Sequence, residues 1–322
     1  MNRDDPRFAL DRRAVARAFG RASAQYDAAA RLQSAVRAEL LERLGHFALS
    51  PAVVVDAGAG MAPATAQLAR LYPQAVVVAF DLAQGMLAQA AARLALRDRV
   101  FGGRFGHPFE RVCGDVHRLP FANGSVQLVF SNLMLQWSDD LDAALREIRR
   151  VLAPGGLFTF TSFGPDTLRE LREAWAAVDG EAHVNPFVDM HDLGSALARA
   201  GFAEPVLDVD RHRLDYADPL ALMRELQQIG ARNALADRPR GLTGRRRLAG
   251  MQQAYRDAHA RPDGRVTATW EVIYATCFRG DSPAIAPQDA HEEHGDRGAP
   301  SREIAFDIAR IGRRRREPDG PA

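Results

Sequence analysis

Three carboxylates stand where apolar segments of the chain run into turns. Asp56 follows VVV and opens a loop that contains Gly58 and Gly60, Asp81 ends AVVVAFD, and Asp115 follows RVCG. A carboxylate at a strand end can accept hydrogen bonds from both hydroxyls of a ribose, and a second one can accept from an adenine amino group. Glycines allow the backbone to approach a ligand closely, and the amides at a helix start attract a carboxylate. The pattern predicts a nucleoside site.

Each of these features also has a purely structural interpretation. Asp81 could cap the helix that follows it, Asp115 could be a turn residue, and the glycine loop could be a simple turn. The occurrence of all three acids in this order at successive strand ends favours the nucleoside site. Because the loop does not read G-x-G-x-x-G, the sequence argues against a nicotinamide dinucleotide and favours an adenosyl-amino-acid cofactor.

The elements that must position these residues alternate regularly. Residues 8–46 have helical spacing with a break near Gly20–Ser23, and strands then alternate with helices over about 110 residues. This alternation predicts an α/β fold with a doubly wound, mainly parallel sheet. After residue 165 the pattern changes to helices, a strand-like EPVLDVDRHRLDY, a basic helix in LTGRRRLAGMQQAYRDA and a long strand in RVTATWEVIYATCFRG.

Four regions follow from this pattern. We expect a helical segment over 1–46 that closes over the cofactor, and a cofactor-binding core over 47–164. Residues 165–280 are expected to supply an appended helical substrate and cap region together with the final strands of the sheet. Residues 281–322 lack periodicity and predict a disordered or loosely attached tail, in which EIAFDIARI could form one more strand. The stretch 97–109 predicts a loop or a frayed helix end.

Composition limits the kinds of partner. The formal net charge of the 322 residues is +1, so no whole-molecule field draws the protein to nucleic acid. Cys113 and Cys277 lack metal-ligand spacing. The chain has neither a signal-peptide-like start nor a run approaching the ~20 apolar residues of a membrane span. We therefore expect a cytoplasmic protein without a metal, a nucleic-acid partner or a membrane partner.

Several segments resemble known enzymes. VVVDAGAG, VVVAFDLAQGML, CGDVHRLPFANGSVQLVFSNLMLQW and LREIRRVLAPGG resemble the class I, Rossmann-like methyltransferases. VARAFGRASAQYDAAARLQ, AWAAVDGEAHVNPF, and RELQQIGARNA with RPRGLTGRRRL resemble the malonyl-[acyl-carrier-protein] O-methyltransferases of biotin synthesis. The resemblance covers about residues 12–280. It implies that S-adenosyl-L-methionine methylates the free carboxylate of a malonyl group carried by acyl carrier protein, an early step of pimeloyl synthesis.

The resemblance and the strand-end pattern together give a set of candidate cofactor-binding residues. They are Tyr26, Asp56, Ala57, Gly58, Gly60, Asp81, Leu82, Met86, Asp115, Val116, Asn132, Leu133 and Gln136. Plain packing is the alternative role for Tyr26 and Leu133. Ala59 and Ala62 stand where the family often has cysteine and glycine, and we expect both to be tolerated if the backbone there keeps negative φ angles.

Methyl transfer to a carboxylate requires no catalytic base, because a malonyl carboxylate is already ionised near pH 7. The protein must instead orient the carboxylate beside the methyl group and exclude water. By family position the orienting candidates are His183, Asn185, Phe187 and Tyr26. His183 could equally be an ordinary polar loop residue.

An acidic carrier protein requires a basic docking surface. Arg240, Arg245, Arg246 and Arg247 cluster around a predicted helix start, where the helix dipole disfavours cations. This placement indicates a partner, although a solvated basic face is the alternative.

Two other functions are compatible with the fold. One is a small-molecule C-methyltransferase of the quinone type, which would favour an aromatic pocket without a basic surface. The other is a methyltransferase-like assembly factor of a respiratory complex that modifies an arginine.

Overall fold

The computed structural model describes residues 9–280, except for 24, 102–108, 237, 239, 240 and 242. The strands are β1 Val53–Ala57, β2 Val76–Asp81, β3 Glu110–Cys113, β4 Val126–Asn132, β5 Leu152–Phe163, β6 Phe202–Tyr216 and β7 Val266–Arg279. The helices are α1 Arg12–Ala22, α2 Tyr26–Ala29, α3 Arg31–Leu44, α4 Pro63–Leu71, α5 Gln84–Phe101, α6 Leu141–Val151, α7 Arg169–Ala176, α8 Met190–Arg199, α9 Pro219–Gln228 and α10 Arg245–His259. A 3₁₀ turn spans Leu135–Trp137.

The strands form one sheet in the order β3-β2-β1-β4-β5-β7-β6. Strands β1 to β5 run parallel, whereas β7 is antiparallel to both β5 and β6. Helices α3 and α4 contribute to the core on one face, and α6 and α8 contribute to the core on the other. The prediction of a doubly wound, mainly parallel sheet is confirmed. The carboxyl ends of β1 to β4 meet at one edge, where ligands bind in such folds.

The last two strands extend the same sheet beyond residue 165. β7 is buried along most of its length between β5 and β6. β6 alternates between more and less buried residues and carries Asp208, Asp210, Arg211 and Arg213. Charges along an edge strand disfavour pairing with the edges of other sheets. Residues 165–280 therefore contribute both helices and the final strands of the sheet.

Several boundaries differ from the sequence-based expectation. Gly20 lies inside α1, which ends at Ala22, and the Ser23 hydroxyl donates to the Gly20 carbonyl. Helix α5 continues to Phe101, so residues 97–101 fit the helix-end alternative, and residues 102–108 of the stretch 97–109 lie outside the described residues. The expected tail 281–322 and its possible strand lie outside the described residues. Cys113 and Cys277 are free thiols, and in the described part of the chain no helix is long and apolar enough to span a membrane.

Candidate active site

The glycine loop after β1 is folded against β2. The amides of Gly58 and Ala59 donate to the Phe80 carbonyl, over 2.8 and 3.0 Å. Gly58 and Gly60 both have left-handed φ angles, of 79° and 56°. A Cβ on Gly58 would lie 2.4 Å from the Met134 side chain, whereas one on Gly60 would meet nothing within 4 Å. Gly60 therefore faces open space, as a cradle for an adenosyl cofactor requires.

The loop continues into α4 through a strained alanine. Ala62 has a φ angle of 62° and stands at the N-cap of α4 without a side-chain cap. An L-residue pays roughly 1–2 kcal/mol for this left-handed conformation. The condition of a negative φ angle is therefore not met at Ala62, whereas Ala59 is not among the left-handed residues. Ala62 therefore adopts a left-handed conformation that glycine would adopt with less strain.

Asp56 supports this loop from beneath. Its carboxylate is 1% exposed and accepts a hydrogen bond of 2.5 Å from the Thr65 hydroxyl on α4. Burial raises the pKa of Asp56 to about 7. Because Asp56 does not line the cavity at the sheet edge, its role in the structure is to fix the loop to α4.

Asp81 holds two turns together and lines the cavity as well. Its Oδ2 accepts from the Gly60 amide over 2.8 Å, and its Oδ1 accepts from the Ala83 amide over 2.7 Å. Burial raises the pKa of Asp81, although both hydrogen bonds oppose the shift. The capping and ligand-binding interpretations of this residue are thus compatible, since one carboxylate can do both.

Asp115 is tied to the N-terminal helix. The Arg12 guanidinium donates to Asp115 over 2.6 Å and to Asp139 over 2.8 Å. His117 Nδ1 lies 2.5 Å from the other Asp115 oxygen, and His117 Nε2 lies 2.8 Å from the Ser138 hydroxyl. Burial raises the pKa of Asp115, but the hydrogen bonds from His117 and Arg12 outweigh it and leave the pKa below its usual value. Arg12 thereby fastens α1 across the cofactor edge.

One cavity brings most of the predicted cofactor residues together. It is lined by Tyr26, Gly58, Gly60, Asp81, Leu82, Met86, Asp115, Val116, Asn132 and Leu133. Asp56, Ala57 and Gln136 do not line it. The sequence did not identify several other lining residues, among them Arg12, Phe19, His117, Met134 and Trp137. Proximity to Asp115 and to the SNLMLQW segment could have indicated the last three; Arg12 and Phe19 reach the site only through the fold.

The turn after β4 shapes the floor of this cavity. The Asn132 side chain accepts from the Thr161 hydroxyl over 3.0 Å and donates to the Gln33 carbonyl over 3.2 Å. Leu133 is left-handed, with a φ angle of 52°. The Gln136 amide donates to the Leu133 carbonyl over 2.7 Å, so Gln136 supports the turn rather than facing the cavity.

The substrate candidates line a second, smaller cavity of about 60 Å³. Its described lining includes His183, Asn185 and Phe187, together with Trp137 and several apolar side chains. Trp137 also lines the first cavity, so the two cavities share a wall. The fourth candidate, Tyr26, lies on the cofactor side.

Neighbouring groups fix the two polar candidates. His183 stacks on Trp175 with ring centroids 3.8 Å apart, and its Nε2 lies 2.9 Å from Asp179. Asn185 is buried, and its side-chain oxygen accepts from the Ala234 amide over 3.2 Å. Both side chains therefore have defined orientations at the wall of the small cavity.

The predicted docking arginines divide into two kinds. Arg245 and Arg246 are exposed at the start of α10. Arg247 is also exposed but lies 3.4 Å from Glu181 and 3.7 Å from Asp179. The positive charge of Arg247 is therefore partly neutralised within the chain. Arg240 lies outside the described residues.

Comparison with known proteins identifies relatives of this chain. A family model described as a methyltransferase domain matches residues 55–160. A relative from Methylovorus sp. is 45% identical over 280 residues, covering 87% of this chain and 93% of its own. A relative from Halorhodospira halophila is 44% identical over 317 residues, covering 98% and 100%. Both are named malonyl-[acyl-carrier protein] O-methyltransferase.

Solved structures agree on the fold. The YcgJ protein of Bacillus subtilis aligns with a TM-score of 0.52 at 14% identity, over 75% of this chain and 97% of its own. A putative methyltransferase of Bacillus halodurans aligns with a TM-score of 0.52 at 15% identity, over 76% and 98%. The two named relatives favour the O-methyltransferase interpretation over the quinone-type and assembly-factor alternatives. The protein is an S-adenosylmethionine-dependent methyltransferase, and the chain belongs to the malonyl-[acyl-carrier protein] O-methyltransferase family.

Proposed function

We propose that the protein transfers a methyl group from S-adenosylmethionine to the free carboxylate of a malonyl thioester on acyl carrier protein, an early step of biotin synthesis. The observation that carries this proposal is the shared wall at Trp137. Trp137 borders both the cavity lined by Asp81 and Asp115 and the small cavity lined by His183 and Asn185. A donor in the first cavity and an acceptor in the second would meet at this side chain.

The cofactor residues would bind by hydrogen bonding and by shape. Asp81 would accept from the ribose hydroxyls and Asp115 from the adenine amino group, while Gly60 leaves room for the ligand backbone. The bound cofactor supplies an electrophilic methyl group on a sulfonium. The remaining task of the chain is to hold the acceptor in line with that group and to exclude water.

The acceptor side needs orientation without proton transfer. A malonyl carboxylate is ionised near neutral pH, so its oxygen can attack directly. His183 and Asn185 lie at the wall of the small cavity, whose other polar lining residues are Arg232 and Asn233. Their hydrogen-bond partners fix the directions of His183 and Asn185. Phe187 packs edge-on against Phe163, with centroids 5.7 Å apart, and closes the pocket toward the sheet.

Methylation itself is tested with purified protein and labelled S-adenosylmethionine. The acceptors are malonyl-acyl-carrier protein and free malonyl-pantetheine. We expect base-labile methyl ester on the malonyl group, formed faster on the carrier-bound substrate. The absence of methyl ester on both acceptors would contradict the proposal.

We propose that Arg245 and Arg246 are the residues to which the folded part of the carrier protein docks. Both are exposed in the first turn of α10, which contains no acidic residue, and charge complementarity to an acidic partner raises the rate of association. Arg247 is left out of the test, because its reversal would place a third acid beside Asp179 and Glu181.

The docking test uses the double variant Arg245→Glu/Arg246→Glu. We expect kcat/KM for malonyl-carrier to fall about tenfold or more, with unchanged kcat/KM for malonyl-pantetheine and unchanged cofactor affinity. Arg256→Glu, at the exposed opposite end of α10, is the matched control. Equal activity of the double variant and the control on malonyl-carrier would rule out this docking surface.

A further inference from the structure

A third cavity lies on the other side of α1. It has a volume of about 550 Å³ and is bounded by α1, α9 and residues 230–238. Five arginines line it, namely Arg17, Arg21, Arg224, Arg232 and Arg238. Among its described lining residues none is acidic. So many guanidinium groups around one concave surface create a strongly positive local potential, although the net charge of the whole chain is only +1.

Little of this positive charge is neutralised by the protein itself. Arg238 donates to the Leu235 carbonyl over 2.7 Å and lies 3.4 Å from Asp11. The carboxylates paired with Arg17 and Arg224 are distant, at 4.0 Å for Asp11 and 3.8 Å for Asp218, and Arg224 donates to the Leu220 carbonyl over 3.2 Å.

Arg21 and Arg232 are exposed and form no ion pair with any described carboxylate. Guanidinium groups bind phosphate through paired hydrogen bonds. The cavity therefore has the chemistry of a site for a phosphate-bearing ligand.

The arginine cavity is adjacent to both parts of the active site. Trp137 lines all three cavities. Val15 is shared with the cofactor cavity, and Arg232 and Asn233 are shared with the small cavity. A ligand that enters through the arginine cavity therefore reaches the meeting point of donor and acceptor at Trp137.

We propose that the arginine cavity binds the phosphodiester of the 4′-phosphopantetheine arm that joins the malonyl group to its carrier. This inference rests on the proposed function. An acyl carrier protein presents its acyl group at the end of such an arm, with one phosphodiester near the protein and the thioester at the far end. The phosphate lies in the arginine cavity, and the arm passes Arg232 toward Trp137.

The surroundings favour a phosphopantetheine over a polynucleotide. Trp137 is the single aromatic side chain among the described residues that line the arginine cavity, and single-stranded nucleic acids bind through stacking on successive aromatic groups. Three glutamines, Gln25, Gln227 and Gln228, also line it. They offer amide donors and acceptors of the kind that the two amides of the arm require.

Direct binding tests the site independently of turnover. The affinities of 4′-phosphopantetheine and of pantetheine, which lacks the phosphate, are compared by calorimetry. We expect wild-type protein to prefer the phosphorylated form about tenfold or more, since a hydrogen bond to a charged group is worth roughly that factor. Arg21→Gln and Arg232→Gln lose most of this preference. Equal affinities of wild type for both probes, or a preference retained in both variants, would overturn the inference.

Arg13→Gln provides the matched control. Arg13 is exposed on the same helix but does not line the arginine cavity, so its variant is expected to keep the full preference. An equal loss in Arg13→Gln would mean that general positive charge, and not the cavity, attracts the phosphate. That result also counts against the inference. Unchanged S-adenosylmethionine affinity shows that each variant is folded.

Turnover separates this inference from the proposed function. With malonyl-phosphopantetheine as acceptor, kcat/KM of Arg21→Gln falls about tenfold, whereas with malonyl-pantetheine it stays at the wild-type value. An equal fall in kcat/KM on both acceptors would show that Arg21 does not act through the phosphate. If wild type binds 4′-phosphopantetheine selectively but forms no malonyl methyl ester, the proposed function fails while the binding site stands.

Discussion

The two sides of α1 differ in charge and in what they can bind. On one side Arg12, Ala16 and Phe19 line a cavity whose polar groups include Asp81 and Asp115. On the other side Ala14, Arg17, Ala18 and Arg21 line a cavity with arginines and without a described acidic residue. A cofactor that carries a sulfonium and an ammonium suits the first, and a phosphate suits the second.

The comparison shows how one short helix can serve two ligands. Side chains three or four residues apart share a face of a helix, so Arg17 and Arg21 point one way while Arg12, Ala16 and Phe19 point another. Val15 lies between and lines both cavities. Helix α1 is thereby the common wall of a site for a cation and a site for an anion.

The largest expected effect comes from removing the carboxylate that defines the cofactor side. Asp81→Asn is expected to weaken S-adenosylmethionine binding about a hundredfold, because two hydrogen bonds to a charged acceptor are lost or reduced. Calorimetric titration measures this. The same variant is expected to bind 4′-phosphopantetheine as wild type does, since Asp81 does not line the arginine cavity.

A matched control for this variant is Asp189→Asn. Asp189 caps α8 outside the cofactor loop, and asparagine caps helices about as well as aspartate. Cofactor affinity at the wild-type level in Asp81→Asn would show that the acid serves only to hold its two turns.

Asp56 is a buried acid beside the cofactor loop, and its contribution to the free energy of unfolding depends on pH. The folded pKa of about 7 lies above the unfolded value near 3.9, so between these values the native state binds more protons. The free energy of unfolding is therefore expected to fall as the pH rises from about 4 to about 7. Asp56→Asn keeps an acceptor for Thr65 but removes this dependence.

Denaturant unfolding of wild type and Asp56→Asn across this pH range measures the effect. The stability of the variant relative to wild type is expected to rise with pH and to level off above about 7. A difference that stays constant with pH would show that Asp56 is ionised throughout. Asp189→Asn again serves as the control.

Arg12 tests whether α1 depends on its ion pairs. Arg12→Gln removes the charged hydrogen bonds to Asp115 and Asp139, which at partial exposure are worth about 1 kcal/mol together. Amide hydrogen exchange within α1 is expected to become roughly fivefold faster, with little change in the sheet. Arg13→Gln, exposed on the same turn, is expected to leave exchange unchanged, and equal protection in both variants would show that packing alone holds α1.

The smallest expected effect concerns the backbone of the cofactor loop. Ala62→Gly relieves the left-handed φ angle at the start of α4, and we expect an increase in stability of about 0.5–1 kcal/mol. Ala59→Gly is expected to have the opposite sign, because Ala59 is not left-handed and glycine adds entropy to the unfolded chain. Thermal unfolding of the two variants decides whether they move in opposite directions.

Local sequence patterns were sufficient to predict which glycines and carboxylates meet at one edge of the sheet. Gly58, Gly60, Asp81 and Asp115 each lie at the end of a strand that is visible as an apolar run, and parallel strands bring their carboxyl ends together. Whether Asp56 faces the ligand could not be read in this way, because the direction of its side chain depends on Thr65 in the next helix.

Such local patterns could not predict contacts between segments that are distant in the sequence. Arg12 meets Asp115 across 103 positions of the chain, and the arginine cavity collects residues from α1, α9 and the loop after it. Sequence spacing does not predict these contacts, because the segments come together only when the sheet has formed. The sequence instead pointed to the local cluster at 245–247, where adjacent arginines stand out. The cytoplasmic location remains a prediction.

Because α1 is a wall of both cavities, the two ligands are linked thermodynamically. If a ligand in one cavity shifts α1, it changes the free energy of filling the other. By reciprocity, the factor by which S-adenosylmethionine alters the affinity for the carrier arm must equal the factor by which the arm alters the affinity for S-adenosylmethionine. A helix of 11 residues can in this way favour simultaneous binding of donor and acceptor without a separate regulatory site.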